Sequence, residues 1–233
     1  MLTLAQFKNL VNVSKKQICE EIFAENADKI KVKKPERVVK NLARIFDATL
    51  SISNAKGFQA MSLRDLSEGS GLSMGALYSY FTSKDELVSM IQEQGRRITT
   101  RVLTDQVTAA DGPADQLKAA IVGHLYLSEV MQPWFYFSYM EAKNLPKKQR
   151  KEAIASELAA ESLFVRILEQ GRRQGVFRET DPRLTAAAIK AVLQDWYLKR
   201  WKYRSRKVTV ENYARFVLDW VERFLAPDSG EAT

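Results

Sequence analysis

An all-α fold is what this sequence predicts, on three observations. Apolar residues recur three and four apart over most of the 233 residues. Glycines and prolines, 10 and 6 in number, sit between those stretches. No convincing run of alternating apolar and polar residues marks a half-buried strand.

Residues 1–26 carry Leu4, Phe7, Leu10, Val11, Ile18 and Ile22 in an imperfect amphipathic pattern, read as one helix. The basic stretch KIKVKKPER follows as a linker, and Pro35 within it opens a second helix. Val38, Leu42, Ile45, Phe46 and Thr49 give that helix one apolar face, and Gly57 ends it near NAKG. Ser62 caps a short third helix, with Asp65 three residues on at its positive end, and Gly71 stops it after about two turns. Ser73 caps the next, whose body is MGALYSYF. Ser83 and Glu86 then form a capping box that starts a long helix to about Thr108. Further helices are expected over 114–131, 133–144, 146–174, 182–203 and 209–225, with a disordered tail from Pro227.

The composition, 45% hydrophobic and 27% charged, is that of an ordinary globular chain with a real core. A net charge of +8 suits an acidic partner, nucleic acid or an anionic ligand, and also occurs where it serves only solubility. Cys19 stands alone, so no intrachain disulfide is expected; it reads as a small buried residue in a reducing compartment. No apolar run approaches a membrane span and the N-terminus lacks the apolar stretch of a signal peptide, so a cytoplasmic protein with no membrane partner is expected. One histidine, one cysteine, no phosphate-cradling glycine loop and no nucleophile elbow assemble no catalytic constellation. Neither an enzyme nor a metal or cofactor site is expected.

Two short helices around a glycine-containing turn, SLRDLSEGSG and then SMGALYSYF, have the spacing of a helix-turn-helix, whose second helix enters the major groove of DNA. Met74, Gly75, Ala76 and Ser79 leave little bulk, so the backbone can approach base edges and phosphates. Leu77 and Phe81 share one face and can anchor the helix. Tyr78 and Tyr80 lie about 200° apart on a helix, so both reach the DNA backbone only if the helix ends near Tyr80. Lys84 in a first helical turn opposes the helix dipole, which suggests another job; phosphate is the obvious partner and a solvated lysine the plain alternative. A helical scaffold without DNA activity is the rival reading, but it has no use for a glycine turn with paired tyrosines.

MSLRDLSEGSGLSMGALYSYFTSKDEL resembles the DNA-binding segment of the tetracycline-repressor (TetR) family of bacterial transcriptional regulators, over residues 35–90. The resemblance implies a homodimer on palindromic double-stranded DNA, probing it with a three-helix head and sensing a small molecule in a larger helical domain. It places Ser62, Arg64, Ser73, Met74, Gly75, Ala76, Tyr78, Ser79, Tyr80 and Lys84 where family members touch DNA. Tyr78, Tyr80 and Lys84 would hold phosphates; Arg64, Met74, Ala76 and Ser79 would read bases. An ion pair of Arg64 with Asp65 or Glu68 is the alternative. The implied domains are an extension over 1–34, the head over 35–90, a ligand and dimer domain over 91–226, and a tail over 227–233. The extension departs from the family, whose first helix usually starts much nearer the N-terminus; residues 4–22 are expected to pack and 29–34 to contact DNA.

The later half must be read from its residues. Tyr126, Trp134, Phe135, Tyr136, Phe137 and Tyr139 crowd around Pro133, either as plain core or as the wall of an apolar pocket. His124, Tyr126, Trp134, Phe137, Tyr139, Trp196 and Arg200 are the effector-binding candidates. A faint similarity to acyl-CoA-responsive family members and a basic run after Lys199 suggest a coenzyme A thioester, with a hydrophobic compound or no effector as alternatives. Leu184, Ala188 and Val192 on one helix, with Tyr213, Val217, Trp220, Val221 and Phe224 on the last, are read as the dimer surface.

Overall fold

The computed structural model describes residues 2–11, 13–145 and 147–227; of the tail expected to be disordered from Pro227, residues 228–233 lie outside them. The described residues form helices joined by short turns, with no strand among them. They divide into two compact units that do not follow chain order. One holds Val11–Ile98 and Pro133–Ile154; the other holds the stretch up to Leu10, Thr99–Gln132 and the chain from Ala155.

The extension is two helices, α1 (Leu4–Val11) and α2 (Lys15–Glu25), where the sequence suggested one. Ser14 explains the break: extended at φ −96°, it caps α2 by accepting the Gln17 N–H on its hydroxyl. The two helices belong to different units. In α1, Phe7 is buried edge-to-face on Tyr126, whose hydroxyl donates to the Leu2 carbonyl at 2.8 Å. In α2, Cys19 and Ile22 are buried within the unit that contains α3 (Pro35–Lys56), and Lys15 pairs with Asp47 at 2.8 Å. Burial pushes the Cys19 thiol up to about 12, which leaves it an inert packing residue.

The head follows: α3, α4 (Leu63–Ser70), α5 (Met74–Leu77) and the long α6 (Lys84–Thr108). The same unit holds α8 (Gln132–Glu141) and the start of α9 (Lys147–Arg173), up to Ile154, whereas α7 (Gly112–Val130) belongs to the other; the aromatic side chains of α8 bury against α6 and the turn after α3. Trp134 donates its indole N–H to the Ile91 carbonyl at 3.1 Å over Gly95, where a β-carbon would overlap the ring. Phe137 packs edge-to-face on Phe58, and the buried Glu141 carboxylate accepts the Phe58 N–H at 3.1 Å. By packing, this unit extends past residue 90 and takes in residues 133–154 from farther along the chain.

The other unit contains α7, α10 (Pro182–Leu198), α11 (Arg200–Ser205) and α12 (Val210–Leu225). Asp181 caps α10 through the Arg183 and Leu184 N–H groups, and Thr209 caps α12 through that of Asn212. The single helix expected over 182–203 is broken at Lys199, whose φ of −115° and ψ of 39° leave the helical region. α7 is buried along Ile121–Ser128 on all sides, as a helix without a polar face must be.

Candidate nucleic-acid interface

The turn between α4 and α5 is held by side chains from both ends. Ser62 and Asp65 form a reciprocal capping box, and Lys56 pairs with the same carboxylate at 2.8 Å. Hydrogen bonds from Lys56 and Ser62 hold the Asp65 carboxyl well below its ordinary range, so this cap stays ionised at any physiological pH. Gly71 ends α4 in the left-handed conformation, φ 63°, and its carbonyl accepts from the Arg44 guanidinium at 3.0 Å. Ser67 donates to the Leu72 carbonyl, and Ser73 caps α5 by accepting the Ala76 N–H.

Helix α5 is one turn long, far shorter than MGALYSYF suggested, because Tyr78 to Tyr80 leave the ladder as a turn. Leu77 and Phe81 are buried and fix it, while Met74, Gly75 and Tyr78 face outward, the two side chains 39% and 42% exposed. A β-carbon on Gly75 would meet nothing within 4 Å, so this spot is open to an approaching backbone or base edge. Ala76 and Ser79 are half-buried, and the Ser79 hydroxyl donates to the Gly75 carbonyl, which keeps its lone pairs available. Arg64 is 88% exposed on its side chain and pairs with Glu68, not Asp65, at 3.3 Å. Such an exposed pair is worth about 0.3–0.5 kcal/mol and is easily exchanged for a base contact.

Two of the residues assigned to phosphate are placed otherwise. Tyr80 is 2% exposed, and its hydroxyl accepts a hydrogen bond from the buried Asn41 amide at 2.8 Å, inside the head. The helix ends before Tyr80, but that turn carries the ring inward. Lys84 is half-buried, its ammonium donates to the carbonyls of Phe58, Gln59 and Met61, and it lies 4.9 Å over the Phe58 ring. Desolvation lowers its pKa, as expected of an ammonium taken out of water into a cage of carbonyls. The capping box at the start of α6 also shifts by one residue: Ser83 accepts the Glu86 N–H, but the Glu86 carboxylate accepts from the Thr82 N–H and hydroxyl.

Two family models match along the chain: "Bacterial regulatory proteins, tetR family" over residues 45–91 and "Tetracyclin repressor-like, C-terminal domain" over residues 110–221. This chain is a member of the TetR family. Its curated relatives include the HTH-type transcriptional repressor KstR2 of Mycobacterium tuberculosis, 29% identical over 164 residues, 63% of this chain and 73% of the relative. Among solved structures, the TetR-family regulator PfmR of Thermus thermophilus matches with a TM-score of 0.69 at 29% identity, over 77% of this chain and 97% of that one. The FadR regulator of Bacillus subtilis, solved in complex with stearoyl-CoA, shares the fold with a TM-score of 0.62 at 18% identity, over 78% and 98%.

In this TetR-family chain the effector candidates fall into both units. Trp134, Phe137 and Tyr139 belong with the head, the first two as core and Tyr139 exposed, so the seven candidates do not line one pocket within either unit. Tyr126 is spent on Phe7 and Leu2. Trp196 donates to Glu129 at 3.0 Å and lies 4.4 Å beneath Arg200, whose guanidinium is bidentate on that same carboxylate. Nε and one Nη of Arg200 are thus engaged by Glu129, while its other Nη is buried with no hydrogen-bond partner among the described residues. His124 is buried beside Lys190, 3.3 Å from its ammonium, which pairs with Glu157 at 3.3 Å although the lysine is only 4% exposed. The sequence reading missed Lys190, Glu129 and Asn41; a lysine inside the apolar face of α10, between Ile189 and Leu193, was the available signal for the first.

The residues read as the dimer surface divide by helix face. Tyr213, Val217 and Val221 point into their own unit and are buried, so they leave that set; Val192 is half-buried. Leu184, Ala188, Trp220 and Phe224 are exposed, and the structure adds Phe216 at 68%. A 3.6-residue repeat makes positions 213, 217 and 221 one stripe and 216, 220 and 224 the next, and the sequence pattern had merged the two.

Proposed function

We propose that this chain is a homodimeric transcriptional repressor that reads an inverted-repeat operator and leaves it when a hydrophobic effector, an acyl-CoA thioester, binds its C-terminal unit. The observation that carries the DNA reading is α5: a one-turn helix fixed by buried Leu77 and Phe81 that turns Met74, the open Gly75 and Tyr78 outward. Such a helix enters a major groove end-on, with Tyr78 on phosphate and Met74, Ala76, Ser79 and Arg64 on base edges. Ser62 and Ser73, the exposed caps of α4 and α5, would add hydroxyl contacts to phosphate.

A second copy suits the uncovered apolar stripe of Leu184 and Ala188 on α10 with Phe216, Trp220 and Phe224 on α12, since soluble monomers seldom leave so many large side chains exposed together. A two-fold dimer places two reading helices about one DNA turn apart, 34–36 Å, and so demands a palindrome. The effector reading draws on stearoyl-CoA in the FadR complex and on buried polar groups, His124 and Lys190, among apolar helices. An effector acts only through its different affinities for operator-competent and incompetent arrangements. Helix α6, whose first turn Lys84 ties to the head, continues past Thr99 into the other unit's residues and is the element both states would share.

Selection of bound duplexes from a random pool tests the core of this reading. The expected outcome is one enriched inverted repeat, protected by a dimer in sedimentation. Enrichment of no sequence, or binding of a single half-site by a monomer, would refute it. Release of the selected duplex by micromolar long-chain acyl-CoA tests the effector; unchanged binding would remove the thioester.

A further inference from the structure

We propose that residues 29–34 are a second DNA contact, a fixed basic arm that holds phosphates flanking the half-site read by α5. The inference rests on α5 being the reading helix, but it concerns residues outside the matched family segment, which begins at residue 45.

The arm is built, not merely basic. The Asn26 carbonyl accepts the Lys29 and Ile30 N–H groups at 3.0 and 2.9 Å and closes a turn after α2. Ile30 then plugs the head's core with no exposed surface. The Lys31 N–H donates to the Ser79 carbonyl at 2.9 Å, satisfying one of the orphan acceptors at the end of α5. The Lys33 ammonium folds back on the carbonyls of Ala27 and Ile30, and Pro35 starts α3 at once. Residues 30–34 lie between helices and alternate in burial: Ile30 is buried and Val32 half-buried, while Lys31 and Lys33 are exposed. One main-chain hydrogen bond thus joins this segment to the residue that follows outward-facing Tyr78.

Lys29, Lys31 and Lys34 are exposed and make no ion pair among the described residues. Arg37 on the first turn of α3 extends the same run, with Asp28 just before it, Glu36 as the acidic residue within it and Glu86 as the acidic neighbour of Lys29. Three ammonium groups without an ion pair on a pinned backbone are costly to keep together in the free protein and are relieved by phosphate. The chemistry selects phosphate rather than bases: lysine is a flexible point charge, without the planar fork that reads guanine. It selects duplex DNA because the main-chain bond that anchors the arm outside its own turn goes to the end of the reading helix. The ordering is already present before DNA arrives, so no disordered tail has to fold on binding.

The test uses the full chain with Lys29, Lys31 and Lys34 all changed to Gln, leaving Ile30 and Lys33 to hold the turn. Affinity for the selected operator is measured across a salt series, with ethylation interference to locate phosphates. Each phosphate released removes roughly 0.9 from the slope of log affinity against log salt, so three lysines account for about 2.7 per arm. The expected result is that shallower slope, loss of interference at phosphates outside the half-site, an equal fold-loss on random duplex and an unchanged consensus. An unchanged slope with unchanged interference overturns the arm while leaving the operator reading intact, as does a loss confined to one base sequence. Failure of the unaltered chain to select any duplex would instead strike the parent reading. An unchanged thermal midpoint for the variant separates lost contact from lost fold.

Discussion

His124 is the only histidine in the chain, so its proton can be followed without ambiguity. The ring is buried on α7, 3.3 Å from the Lys190 ammonium and 6.5 Å from the centre of the Tyr197 ring. Burial first, and then the Lys190 charge, hold its pKa well below the ordinary 6.5. In the unfolded chain the same imidazole titrates near 6.5. Above that pH neither state holds the proton, and the histidine is silent. Below it the unfolded chain takes up a proton that the native chain refuses, so stability falls as the pH falls. Between about pH 7 and about pH 5.5, one such histidine removes about 1.3 kcal/mol. Urea unfolding of the parent and of His124→Gln at both pH values isolates the effect, because carboxylate contributions are common to the two. The parent should lose about 1.3 kcal/mol more than the variant, and the ring Cε1 proton should show no titration in the native state over this window. Equal losses in the two proteins, or a native midpoint near 6.5, would refute the burial argument.

The paired tyrosines separate stability from recognition. Tyr80→Phe leaves the buried Asn41 amide short of its acceptor and should cost about 1–3 kcal/mol in thermal or urea unfolding, whereas Tyr78→Phe should leave stability unchanged and weaken the operator complex in a gel-shift titration. Gly71→Ala forces a side chain into φ 63°, with its β-carbon 2.5 Å from the Arg44 guanidinium, and should lower stability by about 1–2 kcal/mol or more in a thermal melt. Gly95→Ala drives a methyl into the Trp134 indole; loss of about 1–3 kcal/mol, with a shifted tryptophan emission, is expected because the displaced ring gives up its bond to Ile91.

The head was legible because its signals are local. Ser62 with Asp65, Gly71, Ser73 and Ser83 act over three or four residues, and each fixes a helix end at the position where the structure has it to within one residue. The aromatic run around Pro133 was not legible, because its partners are distant: Gly95 makes room for Trp134 and Phe58 meets Phe137, and neither spacing in sequence hints at the other. Periodicity found the helices there and could not say which unit they join. It likewise identified α12 as strongly amphipathic without dividing its inner stripe of Tyr213, Val217 and Val221 from the outer one of Phe216, Trp220 and Phe224.

Lys84 shows how a sound electrostatic argument can find a residue that needs an acceptor without naming the acceptor it has in the free chain. A lysine in the first turn of a helix opposes the dipole, which implies a compensating anion or acceptor nearby. The carbonyls of Phe58, Gln59 and Met61 supply one from within the chain, at the turn that leads into the reading motif. Three carbonyls give the ammonium acceptors from within the chain, and nothing local in residues 84–87 distinguishes that from a phosphate. The consequence is mechanical. The start of α6 is bonded to the turn before α4, while Trp134, on α8, is bonded to the Ile91 carbonyl a little farther along the same helix. The first three turns of α6 are therefore tied at two points to their own unit, and the cation read as a phosphate contact supplies one of those ties.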